Sequence, residues 1–260
     1  MCVQLTPLFD SHAHLDDPDW PPARLAADLA CAPGWLGSLS AGYGPERFAA
    51  CRAVCANLPT VRRAVGLHPW WLAAHSEAER VAGWHQVEAE LETAGNAIAA
   101  IGELGVDKNR KAQMPAGDQV RWMVKGLELA RRRGLAVVLH VVGWHGHALQ
   151  ALREYGRPCR GVVHRFSGSS QVAEHYQALG LHLSLALEPR FDVSRRAAVA
   201  RAIAPERLMV ESDWPFLDLD YPAALDAVRA LAADIAIARG ESSATLIARS
   251  NANCAALFGF

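Results

Sequence analysis

Eight short apolar runs recur along the chain, and polar stretches with helical periodicity separate them. The runs are nearly continuous in Val, Leu, Ile and Ala rather than alternating, which is typical of parallel strands covered on both faces. They lie at residues 8–14, 35–42, 61–68, 98–107, 136–142, 161–168, 182–189 and 208–214.

The stretches between the runs predict helices, among them residues 21–30, 45–58, 78–95 and 118–134. From residue 221 onward the pattern indicates two further helices, separated at Gly240-Glu241-Ser242. Strands that alternate with helices form a parallel α/β sheet, and eight of them in a chain of 260 residues match one (β/α)8 TIM barrel. The sequence therefore predicts a single domain over residues 1–260.

Polar side chains stand at or near the carboxyl ends of most predicted strands. An open, doubly wound sheet binds its ligands at a switch point between two strands and uses few strand ends. A barrel instead assembles its site from the ends of several strands at once. The distribution therefore favours the barrel, and the side chains concerned are His12, His14, His68, Glu103, His140, His164 and Asp213.

Composition and charge narrow the function classes. The chain is 51% hydrophobic and 20% charged, which is globular, and its formal net charge is −1 without a block of Lys or Arg. A protein that binds duplex DNA along an extended surface usually carries a stripe of basic residues. We therefore expect any nucleic-acid contact to be confined to the mouth of the active site. The first residues show no secretory signal, and no apolar run reaches the ~18 residues of a membrane span.

Six cysteines are scattered along the chain without the spacing of a disulfide framework, which favours a reducing cytoplasm. Cys51 and Cys55 lie four residues apart in a predicted helix. Because buried cysteine is ordinarily a small apolar residue, we interpret this pair as packing rather than as metal ligands.

His12 and His14 occupy alternate positions of the first strand, so both imidazoles can face the same side and bind one cation. A bare His-x-His is weak evidence. His145 and His147 form a second such pair just past a strand, where the chain is entering a helix and positions i and i+2 diverge. We expect no metal role for that second pair.

Single polar residues end four other strands, and each has an ordinary structural interpretation. Glu103 could pair with a barrel Arg or Lys, and His140 or His164 alone is more often a core histidine. Taken together with Asp213 and the first pair, they bring four imidazoles and two carboxylates to one rim, a set that Zn²⁺ and similar ions bind. Six ligands exceed one tetrahedral site, and a carboxylate can bridge two cations.

The chain resembles the TatD family of metal-dependent deoxyribonucleases, within the amidohydrolase superfamily of barrels. The resemblance extends over residues 10–259 and is specific, because spaced motifs in the family's order do not arise by chance. The segments that carry it are DSHAHLD, GLHP, IGELGVD, VVLH, VVHRFSGS and ESDWPFL, with NANCAALFG near the end of the chain.

The resemblance implies two divalent cations, Zn, Mn, Fe or Mg. Four imidazoles favour the first three over a pure Mg²⁺ site, because Mg²⁺ prefers oxygen ligands and water. Asp213 would also be catalytic, accepting a proton from the attacking water and passing it to the leaving group. The implied ligands are His12, His14 and Asp213 for the first cation, Glu103 as the bridge, and His140 and His164 for the second.

Two further residues are candidates for substrate binding. His68, in GLHP, resembles the family histidine that faces the substrate or supports the ligands, although a strand-end histidine bonded to backbone would look the same. Arg165 follows His164 and should point to the opposite side of the strand, unless the strand has already ended. A phosphate contact and outward solvation both remain open for it.

Three departures from the family pattern remove polar groups from the substrate mouth. Val141 and Val142 follow His140 where members often carry an Arg, and Trp70 and Trp71 follow GLHP in place of a polar residue. The third is the short stretch after the eighth strand, where members often have a long loop. All three leave the predicted cation ligands intact, so they weaken the prediction of a DNA substrate more than that of a hydrolase.

We therefore expect a monomeric hydrolase that acts on DNA ends or oligonucleotides, prefers single strands and does not associate with membranes. One alternative is an amide or ester hydrolase of the amidohydrolase superfamily, which would use the same cations to polarise a carbonyl. Another is an accessory hydrolase subunit of a larger complex. Predicted exposed aromatics, Trp20, Trp70 and Trp71, would serve a protein partner as readily as a nucleobase.

Overall fold

A computed structural model describes residues 5–93, 98–156, 159–187 and 192–260. Eight strands lie side by side in chain order, and each pair of neighbours is parallel. With helices between them, this is the predicted single-domain (β/α)8 barrel, which is confirmed. The strands are β1 (Leu8–Ala13), β2 (Trp35–Ser40), β3 (Val61–Val65), β4 (Ile98–Asp107), β5 (Ala136–Val142), β6 (Gly161–His164), β7 (His182–Leu185) and β8 (Leu208–Val210).

Helices connect successive strands and cover the outside of the barrel. Three of the predicted helices differ from the observed ones by a few residues at their ends, and the predicted helix at 45–58 is divided into a 3₁₀ turn (Pro45–Arg47) followed by α2. The helices are α1 (Pro22–Ala30), α2 (Phe48–Asn57), α3 (Pro69–Ala74), α4 (Glu77–Thr93), α5 (Ala116–Arg133), α6 (His145–Tyr155), α7 (Ser170–Ala178), α8 (Val193–Ala202), α9 (Tyr221–Arg239) and α10 (Ser243–Phe258).

All eight strands begin where the apolar runs begin, but most end earlier than the runs do. The second run extends to residue 42 while β2 stops at Ser40, and the eighth extends to residue 214 while β8 stops at Val210. The seventh run continues into residues 188 and 189, which lie outside the described residues, as does Cys2. The apolar runs therefore predict the first residue of each strand. They do not predict the last residue of most strands, because the chain leaves the sheet before the run ends.

The barrel closes between its first and last strands by contacts just beyond β8. Asp213 N donates to His12 O at 3.0 Å, and His14 N donates to Trp214 O at 2.8 Å. Asp10 reinforces this seam, because its buried carboxylate accepts from Ser212 N at 2.9 Å and from the Tyr221 hydroxyl at 2.8 Å. The seam thus holds the first His-x-His segment beside Asp213.

The amino-terminal half of the barrel interior is an apolar core that α10 closes from below. Its residues come from β1 to β6 and β8, and the last turns of α10 add Cys254, Leu257 and Phe258. The described cysteines are free thiols, and Cys51 is buried in α2 beside the Ser40 hydroxyl, which agrees with a packing role. The described part of the chain contains no helix long and apolar enough to cross a membrane.

Candidate metal centre

Glu103 stands at the centre of the carboxyl end of the barrel and is fully buried. Its backbone N–H donates to Gly42 O at 2.8 Å, which fixes β4 beside the end of β2. Two residues later Gly105 has φ +148°, and a Cβ atom there would lie 1.9 Å from His140 O. Only glycine allows β4 and β5 to approach so closely, and this approach brings His140 next to Glu103.

One oxygen of the Glu103 carboxylate faces the two histidines of β1. Glu103 Oε1 lies 3.3 Å from His14 Nε2 and 3.5 Å from His12 Nε2. Asp213 Oδ1 lies 3.7 Å from His12 Nε2 and 3.8 Å from His14 Nε2. Two imidazoles and two carboxylate oxygens therefore surround one small space.

The other oxygen faces a second group of histidines. Glu103 Oε2 lies 2.7 Å from His164 Nε2, 3.5 Å from His140 Nδ1 and 3.6 Å from His68 Nε2. His140 Nδ1 and His164 Nε2 are themselves 3.1 Å apart. The structure thus brings the six predicted ligands together, and it adds His68 to the second group.

The donor atoms at this centre fit divalent cations. Among the described residues, His12 Nε2 and both Glu103 carboxylate oxygens are buried without a hydrogen-bond partner. A buried polar atom without a partner costs about 1–3 kcal/mol, so such atoms collected in one place indicate a missing partner. Imidazole nitrogen and carboxylate oxygen are the ligands that Zn²⁺ and related ions take in proteins.

Burial and neighbouring charges set the protonation of the centre without cations. Burial lowers the pKa of His14 to about 4, so this imidazole is neutral near pH 7. Burial also opposes charge on His140, but the hydrogen bond to Asp107 and the negative charge of Glu103 outweigh it and raise its pKa to about 9. The surrounding histidines hold the pKa of Glu103 well below its usual value despite burial. Cation binding would therefore release protons from the histidines.

Asp107, which ends β4, orients His140. Its Oδ2 lies 3.2 Å from His140 Nε2 and accepts a hydrogen bond from Trp70 Nε1 at 2.6 Å. Its Oδ1 accepts from Asn109 N at 2.8 Å. These donors and the imidazole lower the pKa of Asp107 to about 2, against burial, so it is ionised. With a carboxylate on Nε2, His140 presents Nδ1 to Glu103, which is the arrangement of a metal-binding imidazole.

Glu211 supports His164 in the same way. Its Oε1 lies 3.4 Å from His164 Nδ1 and accepts from Arg165 N at 2.6 Å, and the Ser184 hydroxyl donates to its Oε2. Neither Asp107 nor Glu211 was predicted as a site residue. The signal was present in both cases, because each is an acidic residue at the end of a buried strand.

His68 contributes a neutral imidazole to this centre. It precedes α3, and its Nδ1 accepts the hydrogen bond of Trp70 N at 2.9 Å. Burial lowers its pKa well below the ordinary value, so the ring is neutral and its proton is on Nε2. A protonated Nε2 cannot bind a cation, and this nitrogen faces Glu103 Oε2 at 3.6 Å, beyond the length of a hydrogen bond.

Arg165 turns toward the site because β6 has already ended at His164. Its backbone has φ +44°, and the guanidinium Nη1 lies 3.1 Å from Asp213 Oδ2. The same guanidinium covers the ring of Phe216, 3.4 Å from its centroid. Of the two orientations left open by the sequence, the structure has the inward one. Phe216, which the sequence did not single out, belongs to the same mouth.

Two adjoining cavities form the mouth above Glu103. One has a volume of about 230 Å³ and the other about 460 Å³, and both are lined by Trp70, His140, His164, Arg165 and Phe216. Further arginines stand at their edges, Arg47 at the first and Arg195 at the second. The mouth therefore combines arginines and aromatic rings with the carboxylates of Asp17, Asp107 and Asp213.

Two of the three tryptophans expected to be exposed are not. Trp71 is buried, with its Nε1 donating to Glu46 Oε2 at 2.9 Å and its ring stacked on His75. Trp20 is half-buried and packs against Trp214. Only Trp70 keeps a substantial exposed fraction, 41%. The difference between the adjacent tryptophans arises because successive residues of α3 point in different directions, Trp70 toward Asp107 and Trp71 toward Glu46.

The second His-x-His lies in the first turn of α6. His145 is the first residue of α6, and its Nδ1 lies 3.1 Å from the Tyr176 hydroxyl, while His147 is exposed. No cluster of potential metal ligands among the described residues includes this pair, nor Cys51 with Cys55.

Comparison with known proteins agrees with the motifs. The family model of the TatD related DNases matches residues 9–259. A similar curated protein is the uncharacterized metal-dependent hydrolase YjjV of Escherichia coli K12, 30% identical over 82% of this chain and 81% of that protein. The 3'-5' ssDNA/RNA exonuclease TatD of Yersinia pseudotuberculosis is 29% identical over 71% of this chain and 70% of its own length.

Solved structures show the same architecture. The crystal structure of the YjjV protein of Escherichia coli superposes with a TM-score of 0.82 at 26% identity, covering 97% of this chain and 98% of the other. A TatD family hydrolase from Entamoeba histolytica gives a TM-score of 0.80 at 15% identity, with coverage of 98% and 99%. The similarity to the Entamoeba histolytica protein concerns the fold alone.

Proposed function

Because the chain belongs to the TatD related DNase family, a family of metal-dependent hydrolases, we propose that it hydrolyses phosphodiester bonds at the ends of single-stranded DNA. The observation that carries this proposal is the position of Glu103, whose two carboxylate oxygens face two separate groups of histidines. A carboxylate in that position is suited to bridging two cations, the arrangement that favours phosphoryl transfer.

The proposed ligands form two groups, one facing each oxygen of the Glu103 carboxylate. When bound, the cations would lower the pKa of water toward ~7 and neutralise charge on a phosphoryl oxygen. The predominance of imidazole favours Zn²⁺, Mn²⁺ or Fe over Mg²⁺. The first group is His12, His14 and Asp213, and the second is His140 and His164.

The chain's own residues would do the remaining work. Asp213 lines the mouth cavity, and we assign it the role of the base that accepts a proton from water and returns it to the leaving group. Arg165 holds Asp213 Oδ2 at 3.1 Å and would also attract a substrate phosphate. His68 Nε2–H would donate a hydrogen bond either to Glu103 or to a phosphoryl oxygen.

Nucleic acid ends are the proposed substrate because the mouth presents arginines that suit phosphates and aromatic rings that suit bases. Several curated relatives are named 3'-5' ssDNA/RNA exonucleases. Ten residues separate the end of β8 from α9, so this segment offers few residues that could contact a second DNA strand. With a net charge of −1 and no basic stripe, the chain has few phosphate contacts to offer outside the mouth.

A release assay tests this proposal. We expect nucleotide release from single-stranded oligonucleotides in the presence of Zn²⁺ or Mn²⁺, and slower release from blunt duplexes of the same sequence. Equal rates on both forms would contradict the single-strand preference. Carboxylic ester and amide substrates, assayed in parallel, serve as the comparison. Their turnover without any release from oligonucleotides would overturn the choice of bond and identify a carbonyl hydrolase.

A further inference from the structure

Trp70 places a large aromatic surface at the mouth of the metal centre. It is 41% exposed and lines both mouth cavities. Among the described residues, the large exposed apolar side chains that line these cavities are Trp70 and Phe216, and the Arg165 guanidinium already covers the Phe216 ring. An indole has a larger aromatic area than a phenyl ring, and the Trp70 ring also lies beside His140 of the metal centre, so Trp70 is the better candidate for stacking with a ligand.

The indole of Trp70 is fixed before any ligand arrives. Its Nε1 donates to Asp107 Oδ2 at 2.6 Å, and its backbone N–H donates to His68 Nδ1 at 2.9 Å. The Arg110 guanidinium lies 4.4 Å from the ring centroid. A planar side chain held on several sides loses little conformational entropy when it binds a flat partner, so the ring is preorganised for stacking.

The distance of Trp70 from the reacting centre fits the nucleotide at the cleavage point. Its ring centroid lies 5.6 Å from that of His68 and 6.3 Å from that of His140. Arg165 and Arg195 line the larger cavity beside it, where they supply charge for phosphates. An apolar ring next to these cations is complementary to an unpaired base attached to its phosphate.

We propose that Trp70 is the stacking platform for the nucleobase next to the scissile phosphate. The inference rests on the proposed function, because it presumes a nucleic acid in the mouth. Stacking uses the π-face that every base has, so the subsite would accept all four bases and would exclude a base that is still paired in a duplex. The preference for single strands would then come from this ring as well as from the short segment after β8.

Binding measurements isolate the stacking from the chemistry. Single-stranded oligonucleotides with an internal fluorescein and either intact or abasic nucleotides at both ends would be titrated in EDTA, with fluorescence anisotropy as the readout. We expect the wild-type chain to bind the abasic form about tenfold more weakly, within the range measured for one stacked base. Trp70→Ala should bind both forms with the same, weakened affinity.

Two variants serve as controls. Trp70→Phe removes the indole N–H that Asp107 accepts but keeps an aromatic face, so it should retain most of the preference for intact ends. Tyr155→Ala removes an aromatic side chain of similar exposure, 43%, from the end of α6 and should bind like the wild-type chain. If Trp70→Phe loses the preference as completely as Trp70→Ala, the ring acts only through Asp107 and the stacking proposal is overturned.

Hydrolysis, measured separately with added Mn²⁺, distinguishes failure of this inference from failure of the proposed function. A preference for intact ends without hydrolysis would support the stacking role of Trp70 and refute the proposed nuclease activity. The opposite result is hydrolysis by a wild-type chain that binds intact and abasic ends equally, or that binds neither in EDTA. It would support the proposed nuclease activity and refute the stacking role of Trp70.

Discussion

At the scale of single residues, the centre depends on what each imidazole contacts on its second ring nitrogen. His140 has Asp107 there and His164 has Glu211, while His68 has a backbone N–H. Carboxylate partners raise the basicity of an imidazole and fix its free nitrogen toward a cation, whereas a backbone donor leaves the proton on the other side. This difference separates the proposed ligands from the proposed donor.

Asp107→Asn should therefore weaken the second cation without removing a ligand. We expect its affinity to fall about 10- to 100-fold, the usual effect of losing such a carboxylate partner. Isothermal titration of the metal-free chain with Zn²⁺ measures this directly. Asp118→Asn, at a half-exposed side chain near the start of α5, is the matched control and should titrate like the wild-type chain. Unchanged affinity in Asp107→Asn would contradict the orienting role.

Asp213→Asn tests the proposed base. The amide keeps the size of the side chain and one oxygen toward His12 and His14, but it cannot accept a proton. We expect a folded chain that keeps much of its metal and loses at least ~10²-fold in turnover, the scale of a positioned general base. If Asp213 were only the structural partner of Arg165, melting temperature would fall first and turnover per folded chain would not.

At the scale of elements, the sequence predicted where every strand starts and several of the helices, but not where most of the strands end. Apolar runs report burial, and the chain stays buried for some residues after its backbone has left the sheet. Arg165 shows the consequence, since a one-residue difference in the end of β6 decides whether it faces the mouth. Its direction, and the burial of Trp71, depend on packing that no local pattern encodes.

The start of β7 carries a prediction on pH. His182 Nδ1 lies 3.3 Å from Gly161 O, and burial, with Arg207 nearby, lowers its pKa to about 4. The unfolded chain binds this proton near pH 6.5, so the contribution of neutral His182 to stability is complete above that pH. It is lost as pH falls from about 6.5 toward 4.

His182→Gln removes this titration while keeping an amide that can donate to Gly161 O. Between pH 7 and pH 5 we expect the melting temperature of the wild-type chain to fall further than that of the variant. Thermal scans at both values, in the same metal-free buffer, provide the comparison. Equal losses in the two proteins would show that His182 has no part in the acid sensitivity.

At the scale of the whole molecule, barrel closure is what makes the site. His12 and Asp213 are about two hundred positions apart in the chain, yet the seam between β1 and β8 brings their side chains within 3.7 Å. The six residues could be predicted as ligands from sequence because each is a polar residue in or at the end of an apolar run. Asp107 and Glu211 were missed although each also stands at the end of an apolar run, because only the closed barrel places them beside His140 and His164.

The measurement that tests the central claim most directly is the metal content of the wild-type chain and of Glu103→Ala, determined by elemental analysis after loading with Zn²⁺ and gel filtration. Glu103 is the carboxylate that faces both groups of histidines, whereas Glu174→Ala removes an exposed carboxylate of α7 and serves as the control. We predict about two cations per chain in the wild-type and Glu174→Ala proteins. We predict close to none, and no hydrolysis, in a folded Glu103→Ala. Wild-type metal content in Glu103→Ala, or a single cation per wild-type chain, would contradict the bridged centre.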